Sequence, residues 1–290
     1  MPTIAYLGPE KTNTHVAAQK KFGPRAKYMH APTVDEVFHL VERRRADFGV
    51  VPVENSLEGS VAHTLDRFID FRDTPVVIQG ELEQPIQHYL LMHKRARFKN
   101  IKVIYSHPQA LAQCSKWLHA NFPTAERQVT NSTAEAVQSM LHAQTYMRDS
   151  VTGQMRSIVK RHENAAVARR ELITRGLMAI RIPEQRENKT RFLVLGLEEP
   201  RKGARNKTSI VFSLKDRPGA LYDALVPFKR ERINLTKIES RPSKQKAWEY
   251  YFFIDVEGHE SEPRLKRALA ALKRSALFMR VLGSYPMGRR

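Results

Sequence analysis

The sequence is poor in cysteine and lacks long apolar runs, and both shortages exclude classes of protein. Its single cysteine, Cys114, cannot form an internal disulfide, so a disulfide-stapled secreted scaffold is excluded and a reducing compartment is expected. No stretch approaches the roughly 20 consecutive apolar residues that span a bilayer. The N-terminal sequence MPTIAYLGPE shows no basic segment followed by an apolar one, the pattern of a secretory signal. We therefore expect a cytoplasmic protein without a membrane partner.

The common cofactor motifs are also missing. There is no GxGxxG and no GxxxxGK[ST], so nucleotide binding lacks its usual phosphate-binding loop. There is no HExxH and no cysteine pair, and the 11 histidines are scattered along the chain. We expect neither a metal nor an organic cofactor.

Charge is abundant but unbalanced. The chain has 49 lysine and arginine residues against 30 acidic ones, a net charge of +19. Such a surface can attract nucleic acid, but the basic residues are dispersed and are not interleaved with aromatic side chains as in a stacking platform. A solvated basic surface is the preferred interpretation, and attraction of a dianionic substrate stays open as an alternative.

The 290 residues suffice for two domains with separate cores. Strand, turn, helix, strand is the rhythm of residues 3–53, which predicts a βαβ unit and an at least partly parallel sheet. Further helices are predicted at PQALAQCSKWLHANF and at NAAVARRELITRGL, whereas the basic stretch 143–162 has no clear assignment. A charged linker follows near residues 198–207, and the remainder reads βαββαβ, the ferredoxin-like order.

Polar residues follow several of the predicted strands. VPVENSLEGSV places Asn55 and Ser56 after a buried strand, and SHPQALAQC places Ser106 and Gln109 after another. The carboxyl ends of strands are where α/β sheets bind ligands, and these side chains can bind carboxylate or hydroxyl groups. The alternative is that they only cap helices or form turns.

The segment NKTRFLVLG poses the same choice. Phe192 begins an apolar strand, and Thr190 and Arg191 stand directly before it. Taken alone, this pattern is equally typical of a turn and of a site.

Together these motifs resemble one family. GPEKTNTHVAA, VVPVENSLEGSV, SHPQALAQC, STAEA, NAAVA and NKTRFLVL are similar, in this order, to prephenate dehydratase. DRPGALYDAL, INLTKIESRP and WEYYFFIDVEGH resemble the phenylalanine-binding ACT domain fused behind it. No chorismate mutase helix precedes them, so the resemblance is to the monofunctional form.

The resemblance implies an α/β fold with two domains. A catalytic domain is expected over residues 1–199, with two lobes like those of periplasmic binding proteins and an active site between them. A linker is expected over 200–206 and a βαββαβ ACT domain over 207–290. The implied reaction converts prephenate to phenylpyruvate with loss of water and CO2, without a cofactor.

The implied catalytic residue is Thr190, as hydrogen-bond donor to the departing hydroxyl group. The implied substrate contacts are Thr12, Asn55, Ser56, Ser106, Gln109, Ser132, Thr133, Arg191 and Phe192. Two roles stay open for Arg191: it holds a substrate carboxylate, or it braces the lobe through a carboxylate such as Glu54. Phe192 is also a candidate for the core, since it begins the strand.

The first motif departs from the family pattern. Lys11 stands where the family has glycine, and Asn13 where it has phenylalanine. Glycine often serves turns with positive φ, so Lys11 implies either a different backbone or a tolerated strain. Its side chain is expected in solvent, with a cation near the substrate as the alternative.

The C-terminal motifs imply an allosteric site for L-phenylalanine, and with it a homodimer or homotetramer. The implied contacts are Gly219, Ala220, Leu221, Asn234, Leu235, Glu239, Ser240, Arg241 and Pro242. Rival functions are arogenate dehydratase, another prephenate-type lyase, and a non-catalytic amino-acid sensor or basic nucleic-acid binder.

Overall fold

The computed structural model describes residues 1–70, 74–142, 145–148, 155–159, 161–183, 188–243 and 249–288, with only the backbone for 145–148, 155–159 and 161. The chain divides into two compact units. The first unit is Met1–Gln84 with Lys189–Arg290, and the second unit is Pro85–Asn188. Among the helices in the described ranges, none has the length and apolar character needed to cross a membrane.

The first unit begins with a six-stranded sheet, here called the N-terminal sheet. Its strands are β1 (Thr3–Leu7), β2 (Lys27–Ala31), β3 (Phe48–Asn55), β4 (Gly59–Ser60), β5 (Val77–Pro85) and β13 (Lys189–Gly196). The order is β2-β1-β3-β13-β5, with β4 paired to β3. Strand β1 is parallel to both neighbours, which confirms the βαβ prediction, and β13 returns antiparallel to β3.

Three helices accompany this sheet, and their start signals are local. They are α1 (Asn13–Phe22), α2 (Val34–Glu42) and α3 (Ala62–Asp70). Thr12 caps α1 by accepting from the His15 amide, and Thr33 caps α2 by accepting from the Glu36 amide. Each cap satisfies one of the backbone donors that a helix start leaves without an intrahelical partner.

The second unit has its own five-stranded sheet. Its strands are β6 (Tyr89–His93), β7 (Val103–Ser106), β8 (Glu126–Val129), β11 (Asn164–Ala168) and β12 (Leu177–Arg181), in the order β12-β6-β11-β7-β8. Its helices are α4 (Pro108–Gln113), α5 (Ser115–Asn121) and α6 (Thr133–His142). Strands β9 (Thr145–Arg148) and β10 (Met155–Val159) pair antiparallel, while the side chains of the basic stretch, apart from His162, lie outside the described residues.

Two helix predictions in this unit are wrong. The segment NAAVARRELITRGL was expected to be helical, but Asn164–Ala168 is the central strand β11. Ala165 and Val167 belong to one apolar core, and Ala166 and Ala168 to another, so packing on both faces overrides the helix propensity of alanine. The predicted single helix after Ser106 is two helices that meet at Cys114.

The C-terminal domain, residues 206–286, confirms the βαββαβ order. Its elements are β14 (Asn206–Leu214), α7 (Ala220–Arg230), β15 (Leu235–Pro242), β16 (Tyr250–Glu257), α8 (Pro263–Ser275) and β17 (Ala276–Pro286). The four strands form an antiparallel sheet in the order β15-β16-β14-β17. Both helices pack on one face, where Phe212, Phe228 and Ile254 are buried.

The other face of this sheet packs against the N-terminal sheet. Alternate residues of the C-terminal strands, such as Val211 and Phe253, share one core with Ile78 of β5 and Leu193 of β13. Side chains alternate across a strand, so β14 contributes Ile210 and Phe212 to the core under the helices and Val211 to the core shared with the N-terminal sheet, and it is almost wholly buried. The C-terminal domain therefore shares a core with the N-terminal sheet within the first unit.

At Gly283 these two layers approach each other closely. A Cβ atom at Gly283 would collide with the carbonyl oxygen of Ile78 and come within 2.9 Å of its amide nitrogen. Since the obstacle is backbone, no side-chain rotation relieves it. We expect Gly283→Ala to lower the free energy of unfolding by about 1–3 kcal/mol, the range for overpacking.

Gly80→Ala in β5 is the matched control, because its nearest neighbour is the Val194 Cβ at 4.0 Å. Urea unfolding of both variants checks the prediction. A Gly283→Ala protein as stable as Gly80→Ala would contradict the close packing.

Candidate active site

Four of the predicted site residues lie at one edge of the N-terminal sheet. The parallel strands β1 and β3 end there, and the antiparallel β13 begins there. Thr12 follows β1, Asn55 ends β3 with Ser56 directly after it, and Thr190 stands at the start of β13. This is the edge at which α/β sheets bind ligands.

Thr190 and Asn55 form the central pair. They face each other in the β3–β13 ladder, and Asn55 Nδ2 donates to Thr190 Oγ1 at 3.0 Å. Asn55 Oδ1 accepts from the Leu57 amide at 3.0 Å, which fixes the amide orientation. Thr190 is 9% exposed. Because its oxygen accepts from Asn55, the hydroxyl hydrogen is left for donation to another group.

Ser56 ties the turn after β3 to the start of β13. Its Oγ accepts from the Lys189 amide at 2.9 Å, and its own amide donates to the Lys189 carbonyl at 2.9 Å. The alternative that Asn55 or Ser56 caps a helix is wrong, because β3 turns back into β4 and α3 begins only at Ala62.

The first motif keeps its turn despite the missing glycine. Lys11 has φ of 63°, the left-handed region that glycine favours, and its side chain is exposed. Thr12 Oγ1 accepts from the His15 amide and donates to the Leu7 carbonyl, both at 3.3 Å. The tolerated-strain alternative for Lys11 is therefore the one observed.

The second unit gathers its predicted residues at one sheet edge of its own. Strands β7 and β8 are parallel, with Ser106 opposite Val129, so the polar segments after both strands share an edge. Ser106 is fully buried and donates to the Val167 carbonyl at 2.6 Å. Gln109 is exposed in the first turn of α4, whose cap is His107.

Ser132 and Thr133 open helix α6 at the same edge. Ser132 Oγ accepts from the Glu135 amide at 3.0 Å, so Ser132 caps α6. Glu135 reaches back to the amide of Asn131 at 3.0 Å. Thr133 is half-buried as the first residue of the helix.

Arg191 is surrounded by carboxylates. Its Nη1 lies 2.7 Å from Asp255 Oδ2 and 3.1 Å from Glu81 Oε2, and its Nε lies 3.4 Å from Glu54 Oε2. Its side chain is 12% exposed. Asp255 belongs to the C-terminal domain, so these contacts correspond to the bracing alternative and extend it across two domains.

Asp255 completes this buried network. Its Oδ1 accepts from Ser209 Oγ at 2.6 Å, and Lys207 lies nearby with its Nζ 2.8 Å from Glu81. Burial raises the pKa of Asp255, but Arg191, Ser209 and Lys207 outweigh it and hold that pKa below its ordinary value. Burial likewise opposes the charge on Arg191, yet Asp255 and its neighbours raise the Arg191 pKa above its ordinary value.

Phe192 lies in the core. It is 1% exposed and packs with Tyr6 and Val50 on the face of β13 opposite to Arg191. Phe192 was predicted either to contact the substrate or to lie in the core, and this placement corresponds to the core.

A pocket of about 540 Å³ lies beside the start of α7. Ala220 and Leu221 line it together with Arg217, Tyr250 and others. Gly219 is the N-cap of α7 with φ of 77°, a left-handed conformation that glycine adopts without strain. The start of α7 therefore faces a cavity large enough for an amino acid.

The second predicted effector segment divides between two faces of β15. Glu239 and Arg241 are half-buried and bind the N-terminal lobe: Ser60 donates to Glu239 at 2.9 Å, and Arg241 Nε donates to Asp66 at 2.9 Å. Ser240 and Pro242 are exposed on the opposite face. At the amino-terminal end, Leu235 is half-buried and the Asn234 carbonyl accepts from the Glu257 amide.

Sequence reasoning missed Glu81, Lys207 and Asp255. A signal was present, since Asp255 interrupts the apolar run YYFFIDV and Lys207 directly precedes TSIVFSL. A charge inside a buried strand requires a partner of opposite sign. That rule predicts an ion pair but does not say which residue supplies it. Within the described ranges, no group of three or more metal-ligating side chains occurs.

The Asp255 network makes a testable contribution to stability. We expect Asp255→Asn to lower the free energy of unfolding by about 3 kcal/mol at neutral pH, because it leaves Arg191 without its nearest counter-charge. Glu231→Gln, which breaks the exposed pair with Arg267 in the same domain, is the control and should lose much less.

The pH dependence has a definite sign. The folded-state pKa of Asp255 lies below the ordinary 3.8, so its contribution is complete above about pH 5 and is lost as the pH falls through the lowered pKa. The stability gap between wild type and Asp255→Asn should therefore shrink in acid. Urea unfolding at a series of pH values from 7 downwards measures this difference. A difference in unfolding free energy that stays constant as the pH falls would contradict the ion pair.

Comparisons with known proteins agree with this architecture. The family model of prephenate dehydratase matches residues 4–200, and the ACT domain model matches residues 208–274. A bifunctional chorismate mutase/prephenate dehydratase from Aquifex aeolicus is 44% identical over 283 residues, 98% of this chain and 73% of that protein. A prephenate dehydratase from Bacillus subtilis is 32% identical and covers 97% of this chain and 98% of its own length.

A solved structure gives the same result. The crystal structure of prephenate dehydratase in complex with L-Phe from Arthrobacter aurescens has a TM-score of 0.81 and 31% identity, covering 98% of this chain and 89% of that chain. The sequence and the fold around the polar edge at Thr190 are thus similar to those of prephenate dehydratases. The chain belongs to the prephenate dehydratase family, and an ACT domain follows its prephenate dehydratase region.

Proposed function

We propose that the chain converts prephenate to phenylpyruvate, with Thr190 as the hydrogen-bond donor at the leaving hydroxyl group. The observation that carries this proposal is the Asn55–Thr190 pair. Asn55 Nδ2 donates to Thr190 Oγ1 at 3.0 Å, so the threonine hydroxyl hydrogen is directed elsewhere. A buried donor held in place before the substrate arrives needs no reorganisation during the reaction.

The conversion of prephenate to phenylpyruvate requires few catalytic groups besides this donor. The bond from the ring to its carboxylate breaks and releases CO2, its electron pair forms the aromatic ring, and the C4–oxygen bond breaks. The departing oxygen becomes water with one proton from solvent. A threonine hydroxyl is too weak an acid to be fully deprotonated, so Thr190 stabilises the leaving oxygen by hydrogen bonding.

The remaining predicted contacts are proposed to fix the two carboxylates and the ketone. They are Thr12, Asn55 and Ser56 of the first unit, and Gln109, Ser132 and Thr133 of the second. Ser106 is left out, because it is fully buried and donates its hydroxyl hydrogen to the Val167 carbonyl. The net charge of +19 favours encounter with a dianionic substrate. We assign Arg191 to bracing rather than to carboxylate binding, because its guanidinium already binds three carboxylates.

The ACT domain is proposed to bind L-phenylalanine and to regulate the enzyme. The pocket beside Gly219 supports this assignment, since backbone amides at a helix start and the nearby Arg217 suit an amino acid's carboxylate. The related Arthrobacter aurescens enzyme was solved in complex with L-Phe. Feedback requires that phenylalanine binds one arrangement of the domains more tightly than another.

We also propose a homodimer or homotetramer in the cytoplasm. Tyr222, Ile238, Tyr250 and Leu277 of the ACT domain are large apolar side chains that are 40–68% exposed, which favours self-association. The chain has one cysteine, the buried Cys114, and so cannot form an internal disulfide, which suits a reducing compartment.

Thr190→Val tests the catalytic assignment. Valine keeps the shape of threonine but removes the hydroxyl, so kcat for phenylpyruvate formation should fall by about 10²- to 10³-fold with KM little changed. Thr190→Ser keeps the hydroxyl and is the matched control. Parallel assays with arogenate decide the substrate preference. Wild-type protein that forms no phenylpyruvate would reject the function, and an active Thr190→Val would reject the donor.

Gly219→Ala tests the effector site. Nothing lies within 4 Å of the added Cβ, so the effect comes from the left-handed φ, and the displaced loop should bind phenylalanine about tenfold more weakly. Gly23→Ala is a matched control, because Gly23 has φ of 74° and equally open space. Calorimetric titration with L-phenylalanine measures both variants. Equal affinities would contradict the site.

A further inference from the structure

The hairpin that carries Asn55 is held by a lysine of the ACT domain. Lys237 Nζ lies 3.3 Å from Glu54 Oε2 and donates to Ser60 Oγ at 2.7 Å. Glu54 on β3 and Ser60 on β4 are opposite each other in the hairpin ladder. One ammonium group therefore contacts both strands of the hairpin, directly before the turn that contains Asn55 and Ser56.

Glu54 is coupled to the catalytic pair through the backbone. In the β3–β13 ladder Asn55 is opposite Thr190, and Glu54 is opposite Arg191. Successive residues of a strand face opposite sides of the sheet. The Asn55–Thr190 pair thus lies on one face, and the adjacent Glu54–Arg191 pair faces the ACT domain. A displacement of Glu54 moves the backbone of Asn55 as well.

The ammonium group of Lys237 is paired with a carboxylate. Its side chain is 7% exposed, and an ammonium group that deeply buried is stable only when its charge is paired and its donors are used. Glu54 supplies the charge, and it also lies 3.4 Å from Arg191 Nε. The carboxylate of Glu54 is therefore held between one cation from the catalytic lobe and one from the ACT domain.

We propose that Lys237 is a positioning residue for the dehydratase reaction. It fixes Glu54 and Ser60, and so keeps the Asn55 amide at hydrogen-bonding distance from the Thr190 hydroxyl. This inference rests on the proposed function, in which Thr190 is the donor. It also gives the ACT domain a direct part in the active site, through the strand β15 whose exposed face carries Ser240, a predicted effector contact.

Lys237→Met is the first test, because methionine removes the ammonium group and keeps an unbranched side chain. We expect kcat with prephenate to fall about tenfold while KM changes less than about twofold, since a misplaced Thr190 acts mainly in the transition state. Lys237→Arg should restore most of the rate, because it restores the charge.

The control is Arg280→Met. Arg280 is another cation of the ACT domain that reaches the N-terminal sheet, where its Nη2 donates to the carbonyls of Thr74 and Val76 at 2.7 and 3.0 Å. Its removal disturbs the same domain contact away from the hairpin. We expect kcat to stay within about twofold of wild type, even where the melting temperature falls.

Glu54→Gln approaches the same contact from the hairpin side and decides the question if Lys237→Met fails to fold. It should lower kcat by a similar factor, and the double variant should be no slower than either single variant, because both remove one interaction. A folded Lys237→Met or Glu54→Gln with wild-type kcat overturns the proposal. The proposed function is tested separately, by wild type and by Thr190→Val. If wild type makes phenylpyruvate and Thr190→Val does not, a wild-type kcat in the Lys237 or Glu54 variant rejects only the positioning role of Lys237.

Discussion

The ion pair between Arg191 and Asp255 is the constraint on which the rest of the structure depends. Its two atoms lie 2.7 Å apart, and both side chains are about nine-tenths buried. Neither charge is stable there alone, because an unpaired buried charge is penalised by several kcal/mol. Strand β13 and strand β16 must therefore stay together, and with them the catalytic lobe and the ACT domain.

Successive side chains of strand β13 face opposite sides of the sheet, so the strand contributes both to the candidate site and to the domain contact. Thr190, the proposed donor, and the core residue Phe192 face one side, whereas Arg191 and Leu193 face the ACT domain. Chemistry and domain contact thus lie on adjacent residues with no intervening linker. The contacts of the ACT sheet with Arg191 and Glu54 lie next to the Asn55–Thr190 pair, so the proposed regulation would need to act only over a short distance.

Much of this was predictable from the sequence, and the failures have physical reasons. The βαββαβ order and the polar strand ends were predictable from local periodicity and capping chemistry, because these signals depend on residues that are close to each other in the sequence. Asn164–Ala168 was predicted as helix because alanine favours helices, and only burial on both faces makes it a strand. The partners of Arg191 were not predictable, because Glu81 and Asp255 are separated from it by 110 and 64 residues and meet it only in the folded domain.

The central claim is that Thr190 meets the leaving oxygen while Arg191 braces the domains. A crystal structure with a stable prephenate analogue tests it most directly. The account predicts that Thr190 Oγ1 lies about 3 Å from the analogue's C4 oxygen, a hydrogen-bonding distance, and that Arg191 keeps its contact with Asp255. An Arg191 that leaves Asp255 to bind a carboxylate of the analogue, or a Thr190 beyond hydrogen-bonding distance from the C4 oxygen, would contradict it.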